Sequence, residues 1–292
     1  MKILFVLNPV SGGTSNDKAV LAIHSLAMVT RCDFKFHYTC GEDDLGELER
    51  QIAAYQPDRV VAGGGDGTVQ LVGRALLRKD LLMAILPLGS ANGLATALGL
   101  PEDLEGALEI IFYSRHTQPL DVLVFDGKHY CIHLADMGVN AMMVKNYEEE
   151  GDRGMMGYAR HLLSAIKDSP LLRYTVRTPE KTYEKEGYMA AIANANMYGT
   201  GIRISEGSVS DGKFEICNVE RIALDAAIKA GLTRFNVFVD KDMFSDVISC
   251  REAVIDIDQP VDLQIDGEYM GKTQHLEIGI LSSALTILIP EL

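Results

Sequence analysis

No stretch of this 292-residue chain approaches the roughly 18 consecutive apolar residues that a membrane-spanning helix needs, so any membrane contact is expected to be peripheral. Basic runs are missing too. With 27 Lys and Arg against 41 Asp and Glu the formal charge is −14, which argues against a nucleic-acid partner, because phosphate backbones are bound through clustered Lys and Arg. The same balance argues against anchoring on acidic lipid by charge alone. The five cysteines, Cys32, Cys40, Cys131, Cys217 and Cys250, are odd in number and widely spaced, with no Cys-x-x-Cys pair, which fits a reducing cytoplasm. The start, Met1-Lys-Ile-Leu-Phe-Val-Leu-Asn-Pro, turns after a few apolar residues, far short of a signal-peptide hydrophobic region, and reads as a first strand. There is no internal repeat, no low-complexity segment, and no Gly-x-Ser-x-Gly elbow for serine-hydrolase chemistry.

What is present suffices for a full core, since 47% of residues are apolar, and the length suits two ordinary domains or one large one. The first 120 residues or so alternate strand and helix signals: strands at 2–7, 33–38, the run before Gly63, and 82–86; helices at 16–28, 43–55, 68–77, and 91–113 broken at Gly99 and Pro101. Such alternation implies an α/β domain with a mostly parallel sheet covered on both faces. After Leu120 strands crowd together, at 120–125 and 129–137 around an Asp126-Gly127 hairpin signal, then at 172–177, 188–193, 214–219, 253–257, 261–265 and 275–289. One helical stretch, about 153–167, interrupts them. The simplest account is α/β plus β, with domains at 1–122, completed by about 283–292, and at 123–282.

Chemistry concentrates in Val61-Ala-Gly-Gly-Gly-Asp-Gly-Thr-Val69, a strand, a phosphate-sized loop and a helix start. Glycines let the backbone approach a ligand with no Cβ in the way, so N–H groups can converge on an anion at the helix N-terminus. Asp66 sharpens this, because a carboxylate there would repel bare phosphate unless a divalent cation lies between them. Magnesium-nucleotide is the natural occupant. The loop is not a Walker A, lacking Gly-Lys-Ser/Thr, and Thr68 stands where the dinucleotide pattern wants its last glycine. Three further turns, Asn8-Pro-Val-Ser-Gly-Gly13, Thr39-Cys-Gly41 and Pro87-Leu-Gly-Ser-Ala-Asn-Gly93, also follow strands. All four should therefore meet on one edge of one sheet, where ligands of open α/β sheets bind.

Asp266 and Glu268, separated by one glycine, would share a face in an extended segment and crowd each other. That crowding favours one of them as a general base, with Asp266 the candidate and Glu268 its partner. The bland alternative is that Asp266-Gly267 is only a hairpin turn. His129, Cys131 and His133 alternate and could seed a zinc site, but no fourth ligand is evident and a half-buried strand explains them better. Met142, Met143, Met155 and Met156 with Leu162, Leu163 and Ile166 could line a lipid-accepting groove or belong to ordinary core.

Asn-Pro-x-Ser-Gly, Gly-Gly-Asp-Gly-Thr, Pro-Leu-Gly-Ser-Ala-Asn and the late Asp-Gly-Glu, in that order over nearly the whole chain, resemble the diacylglycerol-kinase-like catalytic family, which includes bacterial soluble lipid kinases and sphingosine kinases. Gly-Gly-Asp-Gly-Thr alone is shared with NAD kinases and resembles the phosphofructokinase loop. The resemblance implies an N-terminal doubly wound, NAD kinase-like domain and a C-terminal antiparallel β-sandwich-like domain, with ATP at their junction and a lipid hydroxyl entering the cleft. By motif position, Asn8, Thr39, Gly64, Gly65, Asp66, Gly67, Thr68, Val69, Gln70 and Ser90 would contact the nucleotide. Asp66 and Asp121 would hold Mg2+ on the phosphates, and Ser208, Asp211 and Lys213 a second, structural magnesium.

The implied activity is transfer of the ATP γ-phosphoryl to the hydroxyl of a lipid such as diacylglycerol, in phospholipid biosynthesis, by a cytoplasmic protein in peripheral and weak contact with a membrane surface. An edge strand of the β domain could pair two copies into a homodimer. The chain departs from the bacterial members of the family it resembles at Gln70-Leu71 and Asn92-Gly93, where Asn-Glu and Asn-Asp are common. Two carboxylates are thereby missing, which leaves the acceptor open. The enzymatic rival is an NAD kinase-like protein, and the non-enzymatic rival a nucleotide- or lipid-binding regulatory protein on the same fold.

Overall fold

The structure, a computed structural model, describes residues 1–9, 11, 16–139, 141–142, 171–194, 197–198, 202–203, 207–220 and 244–291. The helix expected at 153–167 and all of the methionine cluster except Met142 lie outside them. The chain divides into two compact units, Met1–Leu120 with Ser283–Leu292, and Asp121–Ser282.

The first unit alternates as its sequence suggests: β1 (Lys2–Leu7), α1 (Asp17–Thr30), β2 (Asp33–Tyr38), α2 (Asp44–Tyr55), β3 (Arg59–Gly64), α3 (Asp66–Leu76), β4 (Leu82–Pro87), α4 (Gly93–Ala97) and α5 (Leu104–Tyr113). The strands run parallel in the order β4-β3-β1-β2. Ile3 to Leu7 are wholly buried, as a continuous apolar run demands of a strand covered on both faces. α1 turns Ala19, Ile23 and Ala27 inward at four-residue spacing, and α2 turns in Leu48, Ile52 and Tyr55 at spacings of four and three. α5 is held at both ends. The Asp103 carboxylate accepts from Gly106 N at 2.8 Å, and the buried Arg59 guanidinium donates to the carbonyls of Ile111 (2.5 Å) and Ser114 (2.8 Å).

The second unit begins within β5 (Thr117–Phe125) and continues through β6 (His129–Cys131), β7 (Leu134–Gly138), β8 (Leu172–Arg177), β9 (Thr182–Gly187), β10 (Met189–Ala193), β11 (Met197–Tyr198), β12 (Ile202–Arg203), β13 (Phe214–Val219), β14 (Phe244–Cys250), β15 (Ala253–Ile265) and β16 (Glu268–Leu288). Neighbours run in the order β14-β13-β10-β7-β15-β16, antiparallel throughout, with the β8–β9 hairpin attached to β15. Phe125, Met137, Ile192, Phe214 and Ile255 centre the apolar core. Inside it the Tyr174 hydroxyl donates to Asn218 Oδ1 at 2.8 Å, so its one polar atom is satisfied. The chain then returns: at the end of β16, Thr286 and Ile287 pair in parallel with Leu82 and Met83 of β4.

Two strand expectations need correction. Residues 129–137 are two strands, interrupted at Ile132 and His133. The segments 253–257 and 261–265 are one strand, β15, with a shift of register between Asp256 and Val261 that carries the exposed Asp258, Gln259 and Pro260 outward. The polar β9, the short β11 and β12, and β14 were not foreseen.

Candidate active site

The parallel registers bring the turns of the first unit together. Leu7 lies opposite both Tyr38 and Gly63, and Gly64 lies opposite Pro87, so β1, β2, β3 and β4 end at one level. The connecting loops are then tied sideways: Asn8 N donates to Gly63 O (3.1 Å), Thr39 N to Leu7 O (3.0 Å), and Leu88 N to Gly64 O (3.0 Å). Asn8, Thr39, the glycine loop and the 87–93 loop therefore share one sheet edge.

The glycines are explained by close approach. A Cβ on Gly64 would fall 2.2 Å from Thr68 Oγ1, and one on Gly89 would fall 2.4 Å from Gly65 Cα. Gly65 is the N-cap of α3 with no side-chain cap, so the helix presents the first-turn amides of Asp66 and Gly67 at this edge. Gly67 is exposed and a Cβ there would meet nothing within 4 Å. Thr68, Val69 and Gln70, by contrast, turn their side chains into the unit and are at most 5% exposed. Ser90 sits exposed at the rim.

Asp66 does not reach its own loop. Its Oδ2 accepts from Gly93 N (3.2 Å) and its Oδ1 from Leu94 N (3.3 Å), which places the carboxylate at the N-terminus of α4. Asn92 closes that loop. It adopts the left-handed conformation (φ 51°) while its amide both accepts from Gly89 N (2.9 Å) and donates to Gly89 O (3.0 Å). Each Asp66 oxygen makes a single long contact, and a half-buried, oxygen-only donor beside open helix amides fits a hydrated magnesium on a polyphosphate.

In the second unit Asp266 and Gly267 form the two-residue turn joining β15 to β16, with φ of 48° and 87° and Ile265 paired to Glu268. The expected shared face of Asp266 and Glu268 is therefore not found, because a turn replaces the extended segment on which it depended. The Asp266 side chain nevertheless has a specific place. Its Oδ1 accepts from His133 N (3.0 Å), Leu134 N (2.9 Å) and Cys131 Sγ (3.4 Å), and its Oδ2 from Ile132 N (2.7 Å). These bonds cause the break between β6 and β7. Burial first, and the Asp266 carboxylate next, push the Cys131 thiol well above its usual range, so it stays protonated and donates. Oδ1 is saturated, whereas Oδ2 keeps a lone pair. Glu268 is exposed.

Asp121 is wholly buried, and its Oδ2 accepts from Gly212 N at 2.7 Å. The same turn is closed by Asp211, whose oxygens accept from Ser208 N (3.0 Å) and Lys213 N (3.0 Å). Asn194, not singled out from sequence, donates to the carbonyls of both Asp121 and Ile132 and so ties this turn to the break beside Asp266. The visible signal was only a polar residue ending the all-buried strand β10. His129, Cys131 and His133 do not lie on one strand, and among the described residues no group of three or more His, Cys, Asp or Glu could hold a metal ion.

Comparison with known proteins agrees with this architecture. Residues 2–125 match the diacylglycerol kinase catalytic domain, and residues 134–289 match the YegS C-terminal NAD kinase beta sandwich-like domain. A protein named "Probable lipid kinase YegS-like" from Klebsiella pneumoniae (strain 342) is 27% identical over 98% of this chain and 95% of its own. Another of that name from Alcanivorax borkumensis is 29% identical over 80% of this chain and 79% of its own. A crystal structure of a diacylglycerol kinase from Bacillus anthracis str. Sterne superposes with a TM-score of 0.73 at 19% identity, covering 99% of this chain and 97% of that one, and so supports the fold. With both domains matched in order, the chain belongs to the diacylglycerol-kinase-like catalytic family, an α/β domain followed by a β-sandwich-like domain.

Proposed function

We propose that this protein is an ATP-dependent lipid kinase that moves the γ-phosphoryl group to a hydroxyl of a lipid alcohol such as diacylglycerol. The observation that carries the reading is the meeting of four loops on one edge of the parallel sheet, with the α3 first-turn amides open beside Asp66. The relatives named as probable lipid kinases support the acceptor class. In this reading the backbone of residues 64–70, with Asn8, Thr39 and Ser90, receives the nucleotide. Asp66 and Asp121 would hold magnesium, which when bound neutralises phosphate charge. Ser208, Asp211 and Lys213 remain candidates for a structural magnesium. Asp266 takes the acceptor hydroxyl's proton on Oδ2, its one unsaturated oxygen, while Oδ1 stays bound to the backbone.

Among the described residues no helix is long and apolar enough to cross a membrane, which is compatible with a peripheral approach to the lipid. The test uses radiolabelled γ-phosphate ATP, magnesium, a lipid-extract panel and NAD, comparing the wild-type protein with Asp66→Asn and Asp266→Asn. Label in a lipid, lost in both variants, is the expected result. Label in NAD would install the NAD kinase-like reading, and ATP binding with transfer to neither would install the regulatory one.

A further inference from the structure

We propose that Gln264 is the positioning residue for the Asp266 turn, and that the buried Asp136 dictates how Gln264 is oriented. The inference rests on the assignment of Asp266 as proton acceptor. Gln264 on β15 lies directly opposite Asp136 on β7. Both are deeply buried, at 3% and 0% exposure. Gln264 Nε2 donates to Asp136 Oδ2 at 2.5 Å, and Gln264 Oε1 accepts from Gly267 N at 2.7 Å. In this arrangement the Asp136 carboxylate oxygen accepts and the Gly267 peptide N–H donates, so the group between them must offer a donor on one side and an acceptor on the other. A planar amide does this without a proton of its own to lose.

The turn is thereby pinned at both residues, Asp266 through its carboxylate on the amides of Ile132, His133 and Leu134, and Gly267 through its amide on Gln264. Asp266 and Gly267 hold φ at 48° and 87°, the paired left-handed conformation of a two-residue Asp-Gly hairpin turn. Releasing Gly267 N lets the Asp266–Gly267 peptide swing, and Oδ2 swings with it. Among the described residues, the ionisable groups next to Gln264 in the sheet are Asp136 across on β7, Asp262 on its own strand, Asp266 in the turn, Glu268 and Tyr269 on β16, and Cys131 at the break, with the Tyr269 hydroxyl already donated to Asp262 Oδ1 at 2.6 Å.

Gln264→Glu tests this. A glutamate facing Asp136 keeps both contacts only while one proton is shared between the two carboxyl groups. The variant should therefore acquire an alkaline loss of kcat, roughly 100-fold once that proton leaves, with KM for ATP unchanged and no such limb in the wild-type protein. The double variant Asp136→Asn/Gln264→Glu inverts the polarity, the new amide on β7 donating and the new carboxylate on β15 accepting from both sides, and should restore the wild-type profile. In glycine-labelled protein the Gly267 amide resonance should shift with pH in Gln264→Glu alone, a readout that needs no turnover. A Gly267 resonance and a pH profile unchanged in Gln264→Glu, or a double variant that stays pH-sensitive, would overturn the proposal. Transfer surviving in Asp266→Asn would remove the base assignment and this role with it, a failure distinguishable because the Gly267 resonance would still titrate.

Discussion

Gly65 and Gly89 touch backbone to backbone: a Cβ on Gly89 would come within 2.4 Å of Gly65 Cα and 2.8 Å of Asn92 Oδ1. The glycine loop and the 87–93 loop are therefore one packed object. Gly89→Ala must push the two loops apart, since backbone cannot yield as a flexible side chain does. We expect a loss of about 1–3 kcal/mol in stability, the usual range for forced overpacking, together with weaker ATP binding. Denaturant unfolding and calorimetric titration with ATP check both. Gly67→Ala, with open space around its Cβ, should cost less than about 1 kcal/mol and serves as the control.

Asp66 separates structural from chemical roles. Asp66→Asn keeps one oxygen for the amides of Gly93 and Leu94, so the α4 N-terminus loses about 1 kcal/mol. Phosphoryl transfer should fall far more, on the order of 100-fold or beyond, if the carboxylate neutralises charge on the phosphates. Melting curves and a transfer assay on the same preparation resolve the two. A transfer loss no larger than the stability loss implies would reduce Asp66 to a helix cap.

The parts of this fold that were legible in the sequence are those where local pattern and tertiary role agree. The apolar run at Ile3 to Leu7 announces a doubly covered strand, and the glycine loop announces the tight turn from β3 into α3. The break at Ile132 and His133 was not legible, because it is imposed by Asp266, more than 130 residues away in the chain. β9 was missed because an edge hairpin strand reading Thr-Tyr-Glu-Lys-Glu-Gly buries little beyond its last residue and so carries no apolar signal. Gln264 and Asn194 were invisible for a related reason. A buried amide bound to main chain has no sequence signature apart from its polarity.

Arg59 offers a test of the first unit's assembly. Arg59, 8% exposed on β3, donates through its guanidinium to the carbonyls of Ile111 and Ser114 at the end of α5. Arg59→Met removes both charged hydrogen bonds and leaves those carbonyls unsatisfied, for an expected loss of about 3 kcal/mol. Arg59→Lys, which can reach only one carbonyl well, should lose roughly half of that. Urea midpoints of the two variants give the order directly.

The exposed Asp256–His275 pair sets a pH dependence in the second unit. His275 Nδ1 contacts Asp256 at 2.7 Å, and Arg177 meets the same carboxylate. The hydrogen bond to Asp256 raises His275 above its ordinary 6.5, and the bond from His275, followed by that from Arg177, lowers Asp256 below its ordinary 3.8. Stabilisation through His275 is therefore complete below 6.5 and fades as pH rises through the raised value. Stabilisation through Asp256 is complete above 3.8 and fades as pH falls through the lowered value. Both are in force between those ordinary values, and both partners are solvent-exposed, so the effect is small and screened by salt. His275→Gln should lower the melting temperature most near pH 5, should match the wild-type protein once pH exceeds the raised value, and should lose its effect in molar salt. A difference that persisted undiminished at pH 9 would assign the effect to packing rather than to charge.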